Sequence, residues 1–161
     1  MSEPPRTHWL RRWPGLMLAL IAVLAVAINN RQIATTARPA MAEFQRPPFE
    51  LPIWLHGPAF AFLSITMALI AGLLWYEAAR PVALWWWVAQ LVAYALWAPL
   101  SLGLRLHFLA ALDMAIFLVL LVFGMFVFWR DSKMAALLLI PFLAWTSYLA
   151  ALSVEFGRLN P

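Results

Sequence analysis

The chain has 161 residues, of which 65% are hydrophobic and only 11% are charged, and its mean hydropathy is +0.83. A soluble domain of this size does not need so much apolar sequence for its core, so the composition predicts an integral membrane protein. Cysteine is absent, which excludes disulfides, thiolate metal sites and cysteine nucleophiles. The formal net charge is +4, but the basic residues stand singly or in pairs between apolar runs, a pattern that indicates membrane-surface loops and no nucleic-acid partner.

Five apolar segments each approach the roughly 20 residues that cross a bilayer. They cover residues 10–28, 53–75, 82–102, 108–129 and 134–154. The connections after the second, third and fourth segments are short, so consecutive helices are expected to run antiparallel and to pack together. The fold class is therefore an all-α integral membrane protein, a five-transmembrane-helix bundle that forms a single domain over residues 1–161. The long loop 29–52 is the candidate lid.

The first segment has two interpretations. Arg6, Arg11 and Arg12 precede an apolar run, and Ala25-Val26-Ala27 resembles a signal-peptidase site, as in a cleaved signal peptide. Four further spans follow and no secreted domain does, which favours a retained helix. An acidic residue and two prolines near the start are unlike a mitochondrial presequence, so a bacterial cell membrane is the expected location.

The second segment combines a mixed aromatic face with a row of small residues. The face consists of His56, Phe60, Leu63 and Met67. His56 is a candidate axial ligand for a haem iron, although an interfacial histidine is the favoured interpretation. The small residues recur every fourth position, at Ser64, Ala68 and Gly72. Such a row lets two helices approach closely, either inside the bundle or between the protomers of a homodimer.

The third segment begins with three consecutive tryptophans, Trp85, Trp86 and Trp87, which spread over about 200° of a helix and cannot all face one cavity. At least two of them are expected at the headgroup interface, where tryptophan is favoured. A polar and aromatic stripe starts at the third of them and comprises Trp87, Gln90, Tyr94, Trp97 and Ser101. In a bilayer this stripe must face inward, to line a ligand cavity or to pack between helices. Pro99 predicts a local kink or widening near the end of the helix.

The last two segments contribute fewer candidates. Asp113 is the one acid well inside an apolar segment, and it is either a functional carboxylate or a helix-start carboxylate paired with Arg105 or His107. On the fifth segment one face carries Pro141, Trp145, Tyr148 and Leu152, with Thr146, Ser147 and Ser153 nearby. The chain has no Gly-rich phosphate loop, His-Glu-x-x-His or Gly-x-Ser-x-Gly motif, so no catalytic residue and no metal ligand is predicted.

The stretches "LVAYALWAPLSLG" (91–103) and "PFLAWTSYLAALSVEFGRLNP" (141–161) resemble the TspO/MBR family, the tryptophan-rich sensory or translocator proteins. The resemblance covers most of residues 40–161. It is strongest in Gln90, Trp97, Pro99, Gly103, Pro141, Trp145, Arg158, Leu159 and Asn160. It implies a five-helix bundle, often a dimer, whose cavity beneath the first loop binds tetrapyrroles such as protoporphyrin, and in some members cholesterol or benzodiazepine-type ligands. It places Gln90, Trp97 and Trp145 on the cavity wall.

The departures from the family pattern fall in that implied site. Gln45 stands where the family has a tryptophan before the double proline, and the family's lysine-proline is missing. The other departures are His56, Phe60, Leu63-Ser64, Tyr94, Ser101-Leu102 and Ser153. They keep an aromatic wall but remove amide groups, so the resemblance implies a divergent member whose ligand differs or binds differently.

These observations together predict a membrane-embedded binding, transport or sensory protein for a flat hydrophobic molecule, a porphyrin above all or a sterol. The predicted ligand-binding residues are His56, Phe60, Trp87, Gln90, Tyr94, Trp97, Ser101, Trp145, Tyr148 and Ser153. No cofactor is required, and the candidate bound group is a porphyrin or haem. The expected partners are this ligand, the lipid bilayer and, as an alternative for the small-residue row, a second copy of the chain. The competing functions are a porphyrin-degrading membrane enzyme, which is not the favoured one, and a structural or assembly protein without a small ligand.

Overall fold

The computed structural model describes residues 13–42, 44–77 and 79–160, apart from the side chains of residues 40 and 41. Arg6, Arg11 and Arg12, which carry the signal-peptide alternative, lie outside the described residues. The helices are α1 (Trp13–Met41), α2 (Ile53–Tyr76), α3 (Pro81–Ala98), a π-helical segment (Pro99–Gly103), α4 (His107–Trp129), α5 (Lys133–Leu137) and α6 (Ile140–Leu159). The described residues contain no β-strand.

Five helical stretches are long and apolar enough to cross a membrane, which confirms the predicted all-α five-helix architecture. They are Trp13–Pro39, Ile53–Tyr76, Pro81–Gly103, His107–Trp129 and Lys133–Leu159. The third stretch consists of α3 and the π-helical segment. The fifth consists of the short helix α5, a turn and α6.

Helix α1 is longer than the sequence predicted, because residues 29–41 are helical and do not form the first half of a loop. Polarity in this stretch indicates that the chain leaves the hydrocarbon, but it does not end the helix, since the first strong helix breaker is Pro39. At 29 residues the helix is about 44 Å long, and its last turns extend beyond a hydrocarbon layer of roughly 30 Å. The connecting loop is therefore only residues 42–52.

Helix α4 is the centre of the bundle, because it packs against both α3 and α6. Its inward face is fully buried at Phe117, Leu121 and Phe128. Helix α1 packs against α2 and reaches the π-helical segment, but it buries only a narrow stripe formed by Ala19, Val23 and Asn30. The rest of its apolar surface faces outward, where lipid solvates it.

The contact between α3 and α4 is close because Gly124 has no side chain. A methyl group added there would meet the amide nitrogen of Gln90 and would lie 3.1 Å from the ring of Trp86. Both of these side chains donate hydrogen bonds to the carbonyl oxygen of Leu120, from Trp86 Nε1 at 2.8 Å and from Gln90 Nε2 at 3.0 Å. The polar groups of α3 at this level are thus used to join two helices.

The three consecutive tryptophans divide between lipid and the bundle. Trp85 is 72% exposed, as expected at the membrane surface. The other two turn toward the bundle: Trp86 is half-buried against α4, and Trp87 is buried and donates its Nε1 proton to the carbonyl oxygen of Met67 at 3.2 Å. Each of these two indole N–H groups thus has a hydrogen-bond acceptor on a neighbouring helix.

The widening predicted from Pro99 is confirmed by the π-helical segment that starts at this residue. Leu104 N donates to Pro99 O at 2.8 Å, and Leu106 N donates to Leu100 O at 2.8 Å. Arg105, between these two residues, has a φ of 60°, a conformation that side-chain-bearing residues rarely adopt. The strained turn redirects the chain from α3 into α4.

The loops at the two ends of the bundle are fastened by polar contacts. Arg80 binds Asp131 through its guanidinium at 2.9 Å, which joins the α2–α3 loop to the α4–α5 turn and holds the pKa of the Asp131 carboxyl below its usual value. At the other end Gln45 N donates to Asn160 Oδ1 at 3.0 Å, and Asn160 Nδ2 donates to Gln45 O at 3.1 Å. The loop after α1 is therefore tied to the end of α6.

The row of small residues on α2 does not form one continuous seam inside the chain. Ser64 is buried and bonded within the bundle, whereas a methyl group added at Gly72 would meet nothing within 4 Å. A contact between two copies of the chain through this row of small residues therefore has room only at Gly72.

Candidate functional site

A cavity of about 850 Å³ lies between α1, α2, α3, the π-helical segment and α6, and loop 42–52 contributes Phe44 and Glu50 to its lining. This volume falls within the range of about 300 to 1,000 Å³ that small-molecule sites usually have. Six of the predicted ligand-binding residues line it: His56, Phe60, Tyr94, Trp97, Ser101 and Ser153. The geometry thus brings together residues from α2, α3, the π-helical segment and α6.

The floor of the cavity is aromatic. Phe60 of α2 stacks on Trp97 of α3 with ring centroids 5.5 Å apart and an angle of 27° between the planes. Tyr94, one turn earlier on α3, lies 6.2 Å from Phe60 in a tilted arrangement. These rings form a continuous apolar surface from two helices, which suits contact with a flat ligand through stacking and burial.

The hydroxyl groups at this floor bind one another and the backbone. Tyr94 Oη lies 3.0 Å from Ser64 Oγ and donates to Phe60 O at 3.2 Å, and Ser64 Oγ donates to the same carbonyl at 2.9 Å. Tyr94 and Ser64 are both departures from the family pattern, and the structure makes them partners. The loss of amide groups that the sequence indicated is thus compensated within the protein, and these hydroxyls are satisfied without a ligand.

A similar pair joins α3 to α6. Trp97 Nε1 donates to Ser153 Oγ at 3.1 Å, and both side chains are buried. The indole ring is thereby fixed in the orientation that it presents to Phe60. Ser153, another departure from the family pattern, acts as the acceptor that positions the tryptophan.

Trp145 and Tyr148 lie beside this cavity and not in its lining. They line a smaller groove of about 420 Å³ between α2 and α6, together with Leu51, Pro141 and others. Their rings are nevertheless in contact with residues of the main cavity, since His56 lies 5.7 Å from Trp145 and 6.1 Å from Tyr148. The Tyr148 hydroxyl accepts a hydrogen bond from Leu51 N at 2.9 Å, so it holds the end of loop 42–52.

Trp87 and Gln90, the first two residues of the α3 stripe, lie above the cavity in packed contact with α2 and α4. Trp87 is bonded to Met67 O, and Gln90 is fully buried and bonded to Leu120 O. Neither lines either of the two pockets described above. Both alternatives for the stripe are therefore found. Trp87 and Gln90 at its start pack between helices, and Tyr94, Trp97 and Ser101 at its end line the cavity.

The sequence interpretation missed the polar end of the cavity. This end is lined by Asn30, Arg31, Thr35, Arg38, Arg105 and His107. The first four belong to the part of α1 that was predicted to be a loop. In a helix, the spacing of seven residues between Arg31 and Arg38 puts them on one face, but in a predicted loop this spacing carries no meaning. His107 stacks on Phe156 at 5.7 Å and meets Phe44 edge-on at 5.8 Å.

Asp113 does not form the expected pair with Arg105 or His107. The carboxyl is buried, and its Oδ2 atom has no hydrogen-bond partner among the residues that the structure describes. Arg105 lies instead over the ring of Phe44, 5.4 Å from its centroid. Within the described ranges no group of three or more His, Asp or Glu side chains is placed to hold a metal ion.

The fold and the cavity define a class of protein, a multi-pass integral membrane bundle of five helices with an aromatic-walled internal site. Residues 16–159 match the TspO/MBR family. The chain belongs to the TspO/MBR family.

Curated relatives agree with this assignment. A tryptophan-rich protein TspO of Chlorobaculum tepidum is 29% identical over 153 residues, which are 91% of this chain and 97% of that protein. The protein CrtK of Rhodobacter capsulatus is 31% identical over 123 residues, 73% of this chain and 76% of its own length. A translocator protein of Ovis aries is 33% identical over 131 residues, 74% of this chain and 73% of that protein.

Proposed function

We propose that the chain binds a flat hydrophobic ligand, a porphyrin, in the 850 Å³ cavity, and that it carries or senses this ligand within the membrane. The observation that carries the proposal is the stacked pair Phe60 and Trp97 on the cavity floor. Large planar molecules gain affinity from stacking and from apolar burial. Family membership supports the same ligand class, and a role in translocation is consistent with the names of relatives such as the translocator protein of Ovis aries.

The proposal involves no chemical step and no resident cofactor, since the porphyrin or haem is the ligand itself. The competing proposal, light-dependent breakdown of a porphyrin, has a direct test. Under illumination the Soret band of protoporphyrin should decay no faster with the protein than with empty micelles. A faster decay that requires Trp97 would favour the enzyme.

Binding is tested by titrating the purified protein with protoporphyrin in neutral detergent and following the shift of the Soret band. Phe60→Ala should raise the Kd about 10- to 100-fold, because it removes the stacked ring and about 1.5–3 kcal/mol of apolar burial. Trp97→Phe should have a smaller effect, because it keeps an aromatic ring but loses the bond to Ser153.

The matched control is Trp85→Phe, which changes a tryptophan of the same helix that is 72% exposed on the outer surface. Its Kd should equal that of the wild type. Partition of the porphyrin into micelles would give a signal that does not saturate and that all three variants share, and that result would refute the proposed function. Trp145→Phe separates the two pockets, since only binding in the smaller groove would depend strongly on this residue.

A further inference from the structure

The cavity lining combines an aromatic surface with three arginines. The floor is the aromatic surface around Phe60 and Trp97, and the lining also includes Arg31, Arg38 and Arg105. Among the residues that line it, Glu50 is the one carboxylate, and that group already lies 3.7 Å from Arg46. The described lining thus presents three cations and a single acid that already has a partner.

The two arginines of α1 both line the cavity. Arg31 and Arg38 form no hydrogen bond or ion pair with another residue in the described part of the chain. Their spacing of seven residues places them two turns apart on one side of the helix, about 10 Å from each other along its axis. Two acidic groups of one molecule can therefore each reach a guanidinium, which has the donor geometry that carboxylates prefer.

Arg105 comes from a different element and is held in place by the backbone. Its φ of 60° is fixed by the hydrogen bonds that Leu104 and Leu106 make to the π-helical segment, on either side of it. Its guanidinium lies 5.4 Å from the centroid of Phe44, so the side chain is supported from the loop above. An unusual backbone conformation at a cavity wall is typical of a residue whose position matters for function.

Three polar atoms of cavity-lining residues have no partner. Asn30 Oδ1, His56 Nδ1 and His107 Nδ1 are buried and make no hydrogen bond with the described residues. All three residues line the cavity. This contrasts with the hydroxyls of Tyr94, Ser64 and Ser153, whose hydrogen bonds are all made within the protein. Unsatisfied groups next to arginines indicate a site that another molecule completes.

We propose that these three arginines bind the carboxylates of the ligand, whose ring system lies against Phe60 and Trp97. The proposal rests on the proposed function and makes it more specific: the ligand is an acidic planar amphiphile, and a neutral molecule of the same shape, such as an ester or a sterol, binds more weakly. The same arginines would fit the acidic headgroup of a lipid, and the experiment separates these two sources of the anion.

The test compares protoporphyrin with its dimethyl ester in nanodiscs of phosphatidylcholine, a lipid without net charge. Wild-type protein should bind the acid about tenfold more tightly than the ester. Each of Arg31→Gln, Arg38→Gln and Arg105→Gln should weaken binding of the acid about two- to fivefold, in the range of exposed charge pairs, and should leave the ester unchanged. Arg38→Lys should keep part of the preference, because the charge remains.

Arg130→Gln is the matched control, because Arg130 is exposed at the opposite end of α4 and does not line the cavity. Added salt should weaken binding of the acid more than that of the ester. Equal affinities for acid and ester, unaffected by the three substitutions, would overturn the inference and leave the proposed function intact. A preference for the acid that disappears when phosphatidylserine replaces part of the phosphatidylcholine would show that acidic lipid headgroups compete for the same arginines. If neither compound binds to folded wild-type protein, the proposed function fails and the inference fails with it.

Discussion

Tyr94 and Ser64 offer a quantitative test of the cavity floor. The structure predicts that their side chains are energetically coupled, because their oxygens lie 3.0 Å apart and both contact the carbonyl oxygen of Phe60. Tyr94→Phe removes one hydroxyl with two partners, and Ser64→Ala removes its neighbour. A buried hydrogen bond of this kind contributes about 1 kcal/mol to stability. Pairs measured between membrane helices average about 0.6 kcal/mol.

We therefore expect each single substitution to cost about 1 kcal/mol and the double substitution to cost about 0.5–1 kcal/mol less than the sum. The assay is reversible unfolding by sodium dodecyl sulfate in neutral micelles, followed by helicity. Ser147→Ala is the control partner, because Ser147 is exposed and donates to Leu143 O in its own helix, so its effect should add to that of Tyr94→Phe. Strict additivity of Tyr94 and Ser64, within about 0.3 kcal/mol, would refute the reasoning.

Three further outcomes follow from the packing. Gly124→Ala should lower the free energy of unfolding by about 1–3 kcal/mol, because the added methyl group meets side chains of the neighbouring helix. Gly72→Ala should not lower it, because a methyl group there meets nothing within 4 Å. The same unfolding assay compares the two variants. Arg80 lowers the pKa of Asp131 from 3.8, so this pair stabilises the fold above about pH 4 and is lost as the pH falls through the lowered value. Asp131→Asn should therefore flatten the acid side of a plot of Tm against pH, and an unchanged acid side would contradict the assignment. Asn160→Ala should free loop 42–52, which stopped-flow measurements would detect as faster ligand release.

The three- and four-residue spacing of polar and aromatic residues was sufficient to predict which side of the third span faces inward. Trp87, Gln90, Tyr94, Trp97 and Ser101 are all buried, because a bilayer offers polar groups no alternative to the bundle interior. Periodicity carries no information on what lies opposite each turn. Whether an inward residue meets a backbone carbonyl or an open cavity depends on neighbouring helices that are distant in sequence.

The polar end of the site was missed for a different reason. Asn30, Arg31 and Arg38 belong to a polar stretch next to an apolar span, and polarity in such a stretch is typical of a loop. A helix that continues into the headgroup region needs no apolar face on its outer side, so its composition resembles that of a loop although its geometry does not. The useful signals were the absence of a helix breaker before Pro39 and the seven-residue spacing of the two arginines.

Three of the departures from the family pattern form contacts inside the protein. Tyr94 binds Ser64, Ser153 positions Trp97, and Gln45 is tied to the end of α6 through its backbone. His56, another departure, lines the cavity with an Nδ1 atom that has no partner among the described residues. In the proposed site, recognition divides into stacking on the aromatic floor and charge at the arginines. Such a site would select a ligand by its planarity and its acidic groups, and the comparison of acid with ester measures the second of these directly.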